Sequence, residues 1–176
     1  MTDPENDGRV EHRAEHAREL AATPEQVWDA IATADGISAW MVPTRLDPKI
    51  GGEVSFDHGG FRSTGVVTAY TPHERFAYDE PWPMTQEMRT WVADTAGHEV
   101  TDEKLASLSP TATEFLIAAA SGGSCLLRVV TSAYGSGADW ENEYFAEMVA
   151  GWGGIPFGPD HQTPWLDNLT RYLETP

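Results

Sequence analysis

Hydrophobic and polar positions alternate along residues 9–20, a period of two that predicts a strand. One face carries Val10, His12, Ala14, His16, Arg18 and Leu20, and the other carries Glu11, Arg13, Glu15, Ala17 and Glu19. The second face is almost wholly charged and belongs in water. The first is therefore the inward face, although it carries two histidines and an arginine. The period then changes. Thr23-Pro24-Glu25-Gln26 reads as a capping box with proline at the first helical position, where its missing N–H costs nothing, and Val27, Trp28 and Ile31 supply the apolar stripe. Asp35-Gly36 is expected to break this helix, and Ile37-Ser38-Ala39-Trp40-Met41 to form a second short one ending before Pro43.

A series of strands is predicted next. Residues 50–56 enter through a glycine turn, Asp57-His58-Gly59-Gly60 makes a hairpin loop, and residues 61–70 return, rich in Thr and Val. Residues 75–78 follow the turn Thr71-Pro72-His73. Farther on, residues 113–120 and 125–134 flank Ser121-Gly122-Gly123-Ser124, the clearest hairpin signal in the chain. Residues 81–110 are too long for an ordinary connection, and Met84, Met88 and Trp91 at helical spacing predict a short amphipathic helix there, with another over residues 101–108. The C-terminal part is helical: Trp140, Tyr144, Met148 and Trp152 recur every four residues with Phe145 and Val149 beside them, while Glu141, Glu143 and Glu147 are read as lying off that stripe. Thr163-Pro164 caps a last segment whose stripe is Trp165, Leu166, Leu169, Tyr172 and Leu173.

This order (strand, two short helices, about five antiparallel strands, a long terminal helix) predicts an α+β fold. Its sheet has one face to cover, and the last helix offers a matching aromatic face. With 176 residues the chain is read as one domain over residues 9–176, preceded by a flexible tail over residues 1–8.

Charge narrows the partners. A formal net charge of -17, from 28 acidic against 11 basic side chains, repels polyanions, so nucleic acid is excluded as the expected partner. No apolar run approaches the length of a membrane span, and the acidic N-terminus lacks the features of a secretory signal; a cytoplasmic protein is expected. A single cysteine, Cys125, excludes an internal disulfide and any cysteine-rich metal site, and is read as a small buried hydrophobe. No cofactor or metal is expected.

Catalytic spacings are absent: there is no His-Glu-x-x-His, Gly-x-Ser-x-Gly, Walker loop or Gly-x-Gly-x-x-Gly. His12 and His16, four residues apart on an extended strand, lie about 13 Å from each other and cannot share one metal. Pointing inward, they either hydrogen-bond a ligand or work as a general acid or base, or else they pair with buried carbonyls or reach the sheet edge, the favoured reading. Arg18 on the same face needs a carboxylate partner, and a structural ion pair is the favoured reading.

Several words of the sequence resemble the START/birch-pollen-allergen-like superfamily (SRPBCC), and within it bacterial homologues of the activator of the heat-shock-protein-90 ATPase. They are residues 18–30 with their Pro24-Glu25 and Val27-Trp28 pairs, then Trp40; Gly51-Gly52-Glu53-Val54-Ser55-Phe56; Gly65-Val66-Val67 with Glu74-Arg75-Phe76-Ala77-Tyr78; and Gly151-Trp152 with Leu166, Leu169 and Tyr172-Leu173. The chain departs from that pattern in its long 81–110 stretch and in an insertion over residues 153–163. The resemblance implies a helix-grip fold, a curved antiparallel sheet wrapped around the C-terminal helix, with a central cavity. On that basis Phe56, Phe76, Tyr78, Phe115, Tyr144, Met148 and Trp152 are candidate wall residues for a small hydrophobic or aromatic ligand, with His12 and His16 as polar anchors, while Trp28 and Trp40 pack the two short helices. Two alternatives stand beside ligand binding: regulation of a chaperone ATPase through the outer surface, and a cyclase or hydrolase using an inward histidine.

Overall fold

The computed structural model describes residues 8–82, 85–97, 99–153 and 165–175. The strand β1 (Val10–Leu20) pairs along its whole length with β7 (Cys125–Gly135), from Val10 opposite Gly135 to Leu20 opposite Cys125. The remaining strands are β2 (Thr44–Leu46), β3 (Glu53–Asp57), β4 (Arg62–Thr71), β5 (Arg75–Glu80) and β6 (Thr111–Ala119). Together they make one seven-stranded antiparallel sheet in the order β1-β7-β6-β5-β4-β3-β2. The helices are α1 (Pro24–Ile31), α2 (Ala34–Trp40), α3 (Gln86–Ala96), α4 (Asp102–Ala106), α5 (Asp139–Gly153) and α6 (Trp165–Glu174).

The predicted α+β architecture is the observed one. The alternation of β1 places His12, Ala14, His16, Arg18 and Leu20 inward; Val10, at the strand's start, is 45% exposed instead. The Thr23 capping box forms as expected, with Gln26 N–H donating to Thr23 Oγ1 at 3.3 Å and Thr23 N–H to Gln26 Oε1 at 2.9 Å. Trp40 locks α2 against α1 by donating from Nε1 to the Ala30 carbonyl at 2.9 Å. The helix break, however, is not at Asp35-Gly36. Helix α1 ends at Ile31, Thr33 caps α2 through the Gly36 N–H at 3.0 Å, and Asp35-Gly36 form the first turn of α2. A side chain at position 36 would place its Cβ 1.9 Å from the Asp29 carbonyl oxygen, so this glycine serves the close approach of the two helices rather than a chain break.

Strand β2 was not anticipated by the sequence pattern, because three residues carry no legible period. It forms because Thr44, Arg45 and Leu46 face Phe56, Ser55 and Val54 of β3. The 81–110 connection contains α3 and α4, the latter capped by Thr101, whose side chain accepts from the Lys104 N–H. Met84 and the side chains of Met88 and Trp91 lie outside the described residues, as do residues 1–7 of the expected tail and residues 154–163 of the expected insertion.

Two apolar clusters fill the space under the helices. The larger joins α1, α2 and α6 to the sheet through Val27, Trp28, Ile31, Ile37, Val54, Phe56, Phe76, Phe115, Leu127, Leu166 and Leu169. The smaller gathers Trp82, Val100, Leu108 and Ala133 around Trp140, Tyr144, Phe145 and Val149 of α5.

Candidate functional site

Side-chain alternation on β5 sends Phe76, Tyr78 and Glu80 to the same inner face. The register places Phe115, Thr113 and Thr111 of β6 opposite them in that order, and Val129 and Thr131 of β7 opposite Phe115 and Thr113. The inner surface therefore changes character along the strands. At one end phenylalanine and valine feed the larger apolar cluster. Toward the other end the same rows become Tyr78, Thr113 and Thr131, then Glu80 and Thr111. Ser63 of β4 is buried on this side as well.

This polar seam is incompletely satisfied. Glu80 Oε2, Thr111 Oγ1 and Thr131 Oγ1 are shut off from solvent and have no hydrogen-bond partner among the described residues. Buried oxygens in folded proteins are nearly always paired, because leaving one desolvated and unbonded costs about 1–3 kcal/mol. Burial pushes the Glu80 carboxyl up to about 7, with the Ser63 hydroxyl pulling partly back. The same burial, reinforced by the nearby Glu80 charge, raises the phenols of Tyr78 and of Tyr144 on α5. The Glu80 charge is thus felt by Tyr78 on its own strand and by Tyr144 on α5. Gly65 on β4 makes the room: a Cβ there would stand 3.1 Å from Glu80 Cβ and 2.4 Å from the Asp79 carbonyl oxygen.

A second buried carboxylate sits beside the smaller cluster. Glu141, in the first turn of α5, is 1% exposed and lies 3.0 Å from His12 Nε2 through Oε2. Its Oε1 accepts from the Ser136 N–H at 3.1 Å and the Ser136 hydroxyl at 2.5 Å, and Oε2 accepts from the Gly137 N–H at 3.0 Å. Burial pushes this carboxyl up, but the hydrogen bonds from Ser136, His12 and Gly137 outweigh it and hold Glu141 below the ordinary carboxylate range. Glu141 was expected off the apolar stripe of α5, and the structure corrects that. Trp140 and Tyr144 form one row and Glu141, Phe145 and Val149 the adjacent row, so Glu141 faces inward where β1 supplies an imidazole.

The predicted residues divide accordingly. His12 is 5% exposed, held by Glu141 and packed against Trp82 and Phe145 with ring centroids 6.1 and 5.5 Å away. His16 is half-buried, and burial lowers its pKa. Phe56, Phe76 and Phe115 lie in the larger cluster, with Phe76 stacked on Phe115 at 6.0 Å. Tyr78 and Tyr144 border the seam, and Tyr144 stacks on Trp82 at 5.7 Å. The side chains of Met148 and Trp152 lie outside the described residues. Arg18 has the carboxylate partner it needs: it pairs with Asp167 of α6 and donates to Thr170 Oγ1 at 3.4 Å. Glu80 was missed. It ends a short strand just before Pro81-Trp82, and the signal that finds it is its parity with Phe76 and Tyr78.

At the β4–β5 turn an open concavity of ≈ 670 Å³ is lined by Pro24, Pro72, His73, Ile117, Arg75 and Arg128. Its arginines are engaged by Glu114 and Glu15, so it is a weaker candidate than the seam. Among the described residues no cluster of three or more His, Cys, Asp or Glu could hold a metal ion, and no helix is long and apolar enough to cross a membrane.

The model of a family described as Activator of Hsp90 ATPase homolog 1-like protein matches residues 21–155. The chain is similar to solved structures over nearly its full length. Protein MLL2253 from Mesorhizobium loti aligns with a TM-score of 0.66 at 14% identity, covering 93% of this chain and 97% of that one. The Aha1 dimer from Colwellia psychrerythraea aligns at 0.59 and 15% identity, covering 93% and 97%. CalU16 from Micromonospora echinospora aligns at 0.60 and 15% identity, covering 95% and 85%. At such identities these likenesses establish the fold alone. No curated protein matches the chain.

Proposed function

Since this chain belongs to the family of Activator of Hsp90 ATPase homolog 1-like proteins, we propose that its helix-grip fold serves to hold a small hydrophobic or aromatic molecule between the sheet and α5. One observation carries this reading: buried, unpartnered oxygens of Glu80, Thr111 and Thr131 lie between two apolar clusters. An apolar guest with a polar end would use both surfaces, burying its body against Tyr78 and Tyr144 and satisfying the seam.

The test is a thermal-denaturation screen against a library of hydrophobic and aromatic compounds, since a ligand that binds only the folded chain raises its midpoint. Some compounds should raise it, and Tyr144→Leu should reduce the response. A library without a single stabilising compound overturns the reading.

The family description favours a second reading, binding to a chaperone and control of its ATPase. It predicts that the purified chain alters the ATPase rate of the host's heat-shock-protein-90 homologue; an unchanged rate at saturating chain removes it. The enzyme reading relied on an inward histidine. The bond from His12 to Glu141 supports anchoring of α5 instead of proton transfer to a substrate.

A further inference from the structure

We propose that the guest of the inner seam is an apolar molecule bearing a protonated primary amine, whose ammonium is received by Glu80 Oε2 and Thr111 Oγ1. This rests on the ligand-binding reading above and specifies the chemistry of its polar end.

The argument begins with what the seam offers. Its side chains are a carboxylate and hydroxyls: Glu80, Ser63, Thr111, Thr113, Thr131 and Tyr78. Of the basic side chains on this side, His12 is bonded to Glu141, Arg18 to Asp167, and His58 reaches Ser63 Oγ at 3.2 Å through Nε2. His16, whose register partner Val129 lies two residues from Thr131, has its pKa lowered by burial. The seam's hydroxyls can each donate or accept, but its carboxylate has no salt-bridge partner among the described residues, so a guest that brings donors and positive charge complements it.

Other polar ends fit less well. A carboxylate or phosphate guest would meet Glu80 charge against charge in a low-dielectric interior. An alcohol brings one donor and no charge. An ammonium brings three donors, enough for the two unpartnered atoms on the cross-strand neighbours Glu80 and Thr111. The rings of Tyr78 and Tyr144 stand close enough to Glu80 to be affected by its charge, and aromatic faces attract a desolvated cation. A cation beside Glu80 also restores the ionised carboxylate that burial disfavours, so amine binding at neutral pH should release a proton.

Titration calorimetry at neutral pH with phenylpropylamine, phenylpropanol and phenylpropionate tests this on the full chain. The amine should bind about tenfold or more tightly than the alcohol, with the propionate weakest. Repeating the titration in two buffers of different ionisation enthalpy should reveal net proton release for the amine alone. Glu80→Gln should abolish both the preference and the proton release. Thr111→Val should weaken the amine about threefold, and it carries the test if the first variant does not fold. Equal binding of amine and alcohol, or an undiminished preference in both variants, overturns the amine assignment and leaves hydrophobic binding standing. No binding by any of the three probes also overturns the assignment, whereas the underlying reading falls only if the library screen fails too.

Discussion

His12 Nε2 and Glu141 Oε2 meet at 3.0 Å across a separation of 129 residues, joining the first strand to the first turn of α5. The contact explains why an inward strand face tolerates a histidine: the imidazole has a buried carboxylate to bond. It also fixes where α5 starts, because the same carboxylate gathers the backbone N–H groups of Ser136 and Gly137.

Removing one partner of a buried hydrogen-bonded pair leaves the other desolvated and unmet. Glu141→Ala should therefore lower the unfolding free energy by about 3 kcal/mol, read from urea denaturation midpoints. A loss below about 1 kcal/mol would show that the contact contributes little.

Gly135 tests the same place from the strand side. A Cβ there would stand 2.2 Å from Glu141 Oε2 and 2.9 Å from Leu108 Cδ2. Gly135→Ala should destabilise by about 2 kcal/mol through overpacking. Combined with Glu141→Ala, which removes the clashing carboxylate, the two losses should sum to less than their separate values. Strict additivity would mean the clash is relieved elsewhere.

Half-buried Glu80 and fully buried Glu141 should give opposite pH signatures. Glu80 is pushed up to about 7 in the folded chain, so between the ordinary carboxylate range and that value the native state holds a proton the unfolded state has lost. Its contribution to stability falls as pH rises through that window. Glu141 is held below the ordinary range, so its contribution is present above that range and is lost as pH falls through it. Melting curves of wild type and Glu80→Gln should accordingly diverge in favour of the variant as pH rises from about 4.5 to about 7. The phenols of Tyr78 and Tyr144, and Asp79 beside Glu80, remain in both proteins and cancel in the difference. Parallel curves would show that Glu80 is solvated.

Cys125 is fully buried in the larger cluster, and burial raises its thiol pKa. A thiol-specific disulfide reagent should leave it unmodified in the native protein and react with one thiol per chain in denaturant. Rapid native labelling would place that end of β7 in solvent.

Much of the architecture was legible because local chemistry and local structure coincide. Period-two alternation marked β1, Thr23-Pro24 through Gln26 marked the start of α1, and Ser121-Gly122-Gly123-Ser124 marked the turn between β6 and β7. Of these, the Thr23-to-Gln26 start also carried the family resemblance. Arg18 announced its need for a carboxylate by being a cation on an inward face, although nothing local named Asp167 of α6 as the partner.

What the chain could not reveal by itself was which polar residues become buried together. Glu141 reads as solvent-facing until β1 brings His12 over it, and Gly36 reads as a breaker until α1 and α2 pack too closely for a side chain. Glu80 reads as the frayed end of a strand until Thr111 and Tyr144 close around it. In each case the deciding contact spans different elements of the fold, and sequence periodicity records only which face a residue is on, not what stands opposite.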